Sequence, residues 1–227
     1  MMPGTDRTML NHAAWRTFDY RPVVAEILPV VLPDFLVPGQ RVLEIGCGSG
    51  AASIFLARQG LHVTGLDINS GAVQAARDAA ERARVADRAE FHAADFLAEP
   101  VTGRFDAVVL VRVLTCLPDP AAWKAMVDKV RGSIAQGGLL YIYDFALTPE
   151  VYGERYARGH RDGLGSGNFA VPGPDGNTLF VAHHHSEEEI GNISSGYRAI
   201  YFNRRAGSSM NGNRCQVFEV LARKECR

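Results

Sequence analysis

Three carboxylates and a glycine loop carry the first chemistry legible in this chain of 227 residues. The loop, Gly46-Cys47-Gly48-Ser49-Gly50, closes the run "VLEIGCGSG" from Val42 to Gly50. Three glycines in five positions let a ligand approach the backbone closely. A strand that ends in such a loop and leads into a helix aims backbone N–H groups at that ligand. Glu44 lies two positions before Gly46, Asp67 ends the next apolar run in "VTGLDIN", and Asp95 follows the third in "FHAADF". The Gly-Lys-Ser/Thr ending of a P-loop is absent. Gly46-x-Gly48-x-x-Ala51, with Asp67 21 positions beyond Gly46, satisfies the relaxed dinucleotide fingerprint, so the glycines alone leave the ligand open. Glu44 narrows the choice, because a carboxylate sits poorly beside a pyrophosphate and well beside a cation. Three carboxylates after three successive strands suit a positive centre, a ribose diol and an adenine amino group. S-adenosylmethionine carries all three.

A second cluster is "HHHSEEE", His183 to Glu189. Strand alternation sends His183 and His185 to one face and His184 to the other. The helix start after Ser186 disfavours an imidazolium and favours the neutral ring that can accept a proton. His183 and His185 are therefore candidate catalytic bases, with Asp144, at the end of a strand, as the next candidate. Two histidines on one side need a third metal ligand that the spacing does not identify, and no metal is expected.

The elements that must position these groups alternate. Strand-like runs occur at Arg41–Ile45, His62–Asp67, Ala89–Ala93 and Phe105–Val111, with "GGLLYIYDF" from Gly137 as a fifth. Helical segments at Ser53–Arg58, Ala72–Arg84 and Ala121–Arg131 separate most of them, and a helix at 23–32 is expected to kink or end at Pro29 and Pro33. This succession implies a doubly wound α/β domain with a mostly parallel sheet. After Phe145 the pattern changes. Residues 149–168 lack clear apolar periodicity, Asn168–Val171 and Thr178–Ala182 flank the turn "PGPDGN", Ser186 to Glu189 reads as a capping box, and Tyr197–Arg204 and Gln216–Ala222 read as strands. One domain over 1–227 is expected: an N-terminal helical cap (1–40), a cofactor-binding core (41–148), a lid-like acceptor-binding insertion (149–185), and a helix with a terminal strand pair (186–227). Gly159, Gly163, Gly165 and Gly167 predict low local stability in the insertion, and Tyr152, Tyr156 and Phe169 are expected to set acceptor selectivity. Along the fifth strand, Tyr141, Tyr143 and Phe145 alternate, so that one face offers either a pocket wall or core.

The ensemble "VLEIGCGSG", "VTGLDIN", "FHAADF", "FDAVVLVRVLTCLPDP" and "GGLLYIYDF" resembles the class I S-adenosylmethionine-dependent methyltransferases in order and spacing across roughly 20–145. The resemblance implies a Rossmann-like, seven-stranded, mostly parallel sheet ending in an antiparallel pair. It also implies that Gly46, Cys47 and Gly48 bound the methionine moiety, Asp67 binds the ribose hydroxyls, and Ile68 packs on adenine. Asp95, with Phe96 nearby, would accept the adenine amino group. Arg112 would lie beside the methionyl group, where family members often carry a small polar residue, and Tyr20 would cover the cofactor.

A formal charge of −1 and a pI near 6.7 give no global reason for a polyanionic partner. The seven basic residues between Tyr197 and Arg227 keep an RNA methyltransferase as an alternative, although charged edge strands also discourage edge pairing. Four dispersed cysteines predict free thiols, and the absence of an export or membrane-spanning segment predicts a cytoplasmic chain. The expected activity is methyl transfer to an oxygen or nitrogen of a small, aromatic or natural-product-like molecule. An NAD-dependent oxidoreductase is the further alternative.

Overall fold

The computed structural model describes residues 4–19, 28–209 and 212–225. Five strands run parallel: β1 (Arg41–Ile45), β2 (His62–Asp67), β3 (Ala89–Ala93), β4 (Phe105–Val111) and β5 (Ile134–Ala146). A separate antiparallel hairpin follows, β6 (Asn168–Pro172) and β7 (Thr178–His183), and then β8 (Tyr197–Ser208) and β9 (Arg214–Lys224). The main sheet has the order β3-β2-β1-β4-β5-β9-β8, with β9 antiparallel to both of its neighbours. Chain direction across the sheet reverses between β1 and β4, the switch point where open α/β sheets form a crevice at the carboxyl ends of their strands.

Alternation within each strand builds an apolar layer on either side of the sheet. Val42, Ala107 and Val109 pack with α2 (Ala51–Arg58) and α3 (Ser70–Arg82). Leu43, Val108 and Leu110 pack with α4 (Pro120–Ser133) and α6 (Glu187–Ile193) on the other side. Burial on both faces accounts for the nearly continuous apolar runs of the inner parallel strands, whereas β3, at the edge, alternates buried and exposed residues. Among the described residues no helix is long and apolar enough to cross a membrane.

Before the sheet, α1 (Gly4–Arg16) lies against β7. Buried Asn11 fastens it: its amide nitrogen donates to the carbonyls of Val181 and Cys116, both at 2.8 Å, and its oxygen accepts the Val181 N–H at 2.9 Å. Most of the helix expected at 23–32 lies outside the described residues, and residues 28–32 are not helical.

The stretch read as lacking periodicity corrects that reading, because Pro149–Arg161 forms a regular helix, α5. Its buried face is aromatic and glycine rather than aliphatic. Tyr152 packs on Phe169 at 5.5 Å between ring centroids, and a Cβ on Gly159 would overlap the Asn168 carbonyl. Tyr141, Tyr143 and Phe145 are buried in the core, Tyr141 donating to Glu219 at 2.8 Å.

Candidate active site

The parallel registers bring the ends of β1, β2 and β3 to one edge, Ile45 beside Leu66 and Asp67 beside Ala93. There a cavity of about 860 Å³ opens. Its wall includes Glu44, Asp67 and Asp95, the glycine loop from Gly46 to Ser49, Ile68, Phe96 and the turn at Arg112 and Val113. Of the residues expected at the cofactor, Tyr20 lies outside the described residues; all the others reach this wall.

The loop is held from behind. Gly46 and Cys47 both donate to the Leu66 carbonyl, at 2.7 and 2.9 Å. Gly46 has φ +71°, and a Cβ there would stand 2.5 Å from the Val113 side chain, so only glycine fits. One oxygen of Asp67 accepts the Gly48 N–H at 2.8 Å and the other the Asn69 N–H at 2.9 Å, which locks the carboxylate while leaving a lone pair on each oxygen. Burial raises Asp67 above the ordinary carboxylate range, with these bonds opposing. Glu44 is buried and bonded to the Ser53 hydroxyl, and burial pushes its carboxyl up to about 7, Asp67 adding to the effect. A cation in the cavity would relieve both carboxylates. Burial raises the thiols of Cys47 and Cys116 as well, which keeps them protonated.

Sequence reasoning expected an N-terminal cap with Tyr20 over the cofactor but named none of the described residues that line the cavity from that side. His12, Trp15 and Phe18 line the cavity from the α1 side, and His12 Nδ1 stands 3.5 Å from Asp95 Oδ2. Asn69 joins roof to floor: its amide nitrogen donates to the Trp15 and Phe18 carbonyls at 3.2 and 2.9 Å, and its oxygen caps α3 through the Ala72 N–H at 3.0 Å. The available signal was Asn69 immediately before a helical run, an N-cap position.

Arg112 adopts φ +57°, and its guanidinium donates to the Ser208 carbonyl at 2.8 Å and lies 5.5 Å over the Phe145 ring. The candidate bases stand apart from the cavity wall. Asp144 is fully buried and accepts the N–H groups of Leu114 (2.8 Å), Thr115 (3.3 Å) and Phe145 (2.8 Å), pinning the turn beside the cavity. Burial lifts it to about 6 against those bonds. His183 and His185 do share a side, with ring centroids 4.6 Å apart, but both are buried between the hairpin and α6. His184 faces the other way into an aromatic cluster, 2.7 Å from the Tyr156 hydroxyl, and burial, with His183 and Arg155 adding, pushes it down to about 3. Tyr152 and Phe169, expected to select the acceptor, are buried in the same cluster.

Residues 42–138 match the family model described as a methyltransferase domain. The chain is 34% identical over 116 residues to a ubiquinone biosynthesis O-methyltransferase of Psychrobacter cryohalolentis, covering 50% of this chain and 44% of that protein. A Xanthomonas campestris protein of the same description is 32% identical over 125 residues, covering 55% and 51%. The chain thus spans about half the length of the curated relatives it matches. Among solved structures, a S-adenosylmethionine-dependent methyltransferase of Methanosarcina mazei superposes with a TM-score of 0.82 at 29% identity, over 89% of this chain and all of that one. The magnesium protoporphyrin IX methyltransferase of Synechocystis, solved with bound S-adenosylmethionine, shares the fold with a TM-score of 0.67 at 18% identity over 99% of each chain. Residues 42–138 thus match a methyltransferase domain, and the fold around them is that of S-adenosylmethionine-dependent methyltransferases rather than of a dinucleotide-dependent oxidoreductase.

Proposed function

We propose that this chain transfers a methyl group from S-adenosylmethionine to an oxygen, or a nitrogen, of a small aromatic acceptor. The observation that carries the reading is the cavity itself, in which three buried carboxylates and a glycine cradle meet an aromatic roof at the switch point of the sheet. The residues present fit the cofactor. Asp67, locked by two backbone N–H groups, presents both oxygens to the vicinal hydroxyls of a ribose, and Asp95 and Phe96 flank the place for adenine beside Ile68. Gly46, Cys47 and Gly48 leave room for the methionine moiety, with Glu44 supplying negative charge behind it. When bound, the cofactor supplies an electrophilic methyl group on a positively charged sulfur.

The work of the protein in this reading is alignment. Holding acceptor atom, carbon and sulfur in line replaces a rare encounter with a bound geometry, and the proton that the acceptor loses passes to water at the open side of the cavity. Trp15 and Phe18, from the side of α1, give a flat ring something to lie against, and Asn69 holds that roof in place. The burial of His183, His185 and Asp144 away from the wall supports catalysis by alignment over catalysis by a base from this trio. The curated relatives named as O-methyltransferases favour oxygen as the acceptor atom. The backbone carbonyls that engage Arg204, Arg223 and Lys224 favour a small acceptor over RNA.

Calorimetry with S-adenosylmethionine, its demethylated product and NAD, followed by labelled-methyl transfer to a panel of phenols and aromatic amines, tests the proposal. Binding of both S-adenosyl ligands and transfer to a phenol is the expected result. NAD binding without S-adenosyl binding would overturn it, and salt-sensitive methylation of RNA in preference to every phenol would replace the acceptor class.

A further inference from the structure

The third ligand that the histidine spacing leaves unnamed stands beside the pair in the fold. Donor atoms of His183, His185 and Glu189 all lie within 4.8 Å of one another. Their positions are fixed by backbone. His183 ends β7, the His185 N–H donates to the Phe145 carbonyl at the end of β5, and the His185 carbonyl accepts from Leu147, both at 2.9 Å. Glu189 occupies the third position of α6, where the Ser186 N–H and hydroxyl hold one carboxylate oxygen at 2.7 and 3.0 Å. The other oxygen turns inward.

Two features of the cluster bear on what it holds, and protein contacts alone account for only one of them. Asn168 donates from its amide nitrogen to the carbonyls of Leu164 (2.6 Å) and Pro118 (3.2 Å), so its oxygen must face His183 Nδ1, 2.7 Å away. That nitrogen therefore carries the proton. His183 Nε2 then points a lone pair at Glu189 Oε1 across 3.1 Å, which requires a cation between them, either a proton or a metal. His185 is fully buried, and neither of its ring nitrogens has a hydrogen-bond partner. A proton on His183 satisfies the first feature and leaves the second; a metal ion held by all three residues satisfies both.

We propose that His183, His185 and Glu189 form a binding site for a divalent transition ion of the zinc type. Two imidazoles and one carboxylate are ligands that suit such an ion rather than magnesium or calcium. The surrounding shell is already in place, with Asn168 orienting His183 through the nitrogen that does not ligate and Ser186 holding the spare oxygen of Glu189. The Glu189 side chain, 40% exposed, marks the side from which the ion enters. Bound there, the ion would tie β7 and α6 to the end of β5, a positioning role outside the methyl-transfer cavity.

The test uses the full chain, stripped with a chelator and desalted, titrated with Zn²⁺ by calorimetry and with Co²⁺ by visible absorption. One equivalent of Zn²⁺, ligand-field bands on Co²⁺ addition, and a metal-dependent rise in the melting temperature are expected. Glu189→Gln keeps an oxygen for the cap and should weaken binding at least tenfold. His185→Phe fills the same space without a ligand and should weaken it about 100-fold or more, the top of the range for loss of even an outer-shell partner. If His185→Phe does not fold, as judged by circular dichroism, Glu189→Gln carries the test. No stoichiometric binding, or equal affinity in the folded variants, overturns the site, as does a doubly protonated His183 ring in nitrogen NMR of the zinc-saturated protein.

Discussion

Replacing Glu44 with glutamine should make the ligand-free protein more stable and the cofactor bind less well. Glu44 is 3% exposed, and its carboxyl rises from 4.5 to about 7, chiefly through burial, which the Ser53 hydroxyl only partly offsets. In the unfolded chain it titrates near its ordinary value. Between pH 4.5 and 7 the folded chain therefore holds a proton that the unfolded chain has lost, and stability falls as pH rises through that window. Between pH 4.5 and 7, at 1.36 kcal/mol for each pH step of one, the cost grows to about 3 kcal/mol. Glutamine removes this cost while its oxygen still accepts from Ser53. Below pH 4.5 the two proteins should be equally stable; above pH 7 the variant should lead by about 3 kcal/mol, or about 6 °C for a chain of this size. Thermal and urea melts of both proteins from pH 4.5 to 8.5 measure the difference directly. Because Asp144 and Asp67 are also raised and impose the same sign on both proteins, only the difference isolates Glu44. Cofactor affinity should behave in the opposite sense. A cation favours the ionised form, so wild-type affinity should strengthen as pH rises through 7, while the variant binds more weakly across the range. A variant that is less stable than wild type at pH 8, or whose advantage is the same at pH 5 and pH 8, would refute the assignment of this cost to the Glu44 charge.

Gly46→Ala should cost about 1–3 kcal/mol of stability in chemical denaturation, because φ +71° is strained for alanine and Val113 must move. Its S-adenosylmethionine affinity should fall more than its stability alone explains. Asn69→Ala loses a helix cap and two bonds to the roof, about 2 kcal/mol together, and should raise the cofactor KM more than it lowers kcat. Asp67→Ala should weaken cofactor binding at least about tenfold by calorimetry, from charged hydrogen bonds worth about 1.5–3 kcal/mol each before water compensates. Unchanged affinity in a folded Asp67→Ala protein would place the ribose elsewhere.

The parallel core was legible because its strands are buried on both faces. Runs such as "FDAVVLV" then announce themselves without reference to neighbours, and β1, β2 and β4 begin and end where the runs do, whereas β3, at the sheet edge, alternates buried Ala89 and Phe91 with exposed Glu90 and His92. The carboxylates were legible for a related reason, since each lies at or within two residues of a strand's carboxyl end and parallel strands put those ends together. What escaped was structure made of polar or aromatic contacts at long range. The fastening of α1 depends on Asn11 reaching Val181, 170 residues away, and no local pattern encodes that pairing. In α5 the buried face is Tyr152, Tyr156 and Gly159, a helical spacing without the aliphatic side chains by which amphipathic helices are recognised. The side shared by His183 and His185 followed from alternation, whereas its burial depended on where the hairpin docks.

The insertion of β9 between β5 and β8 has a consequence for how the chain reaches its folded form. β9 is the last of the described strands to be synthesised, yet it lies inside the sheet. Until it arrives, the outer edge of β5 has no partner over Leu139 to Ala146, and β8, already made, has no strand to join. A growing chain thus carries an open edge of apolar residues until nearly all the described strands exist, and only then can the final pair of ladders close in one step. Such an edge invites pairing with a second chain. Slow synthesis through the region between β5 and β9 would lengthen that exposure, while a nascent chain released with β9 in hand can close the sheet on itself.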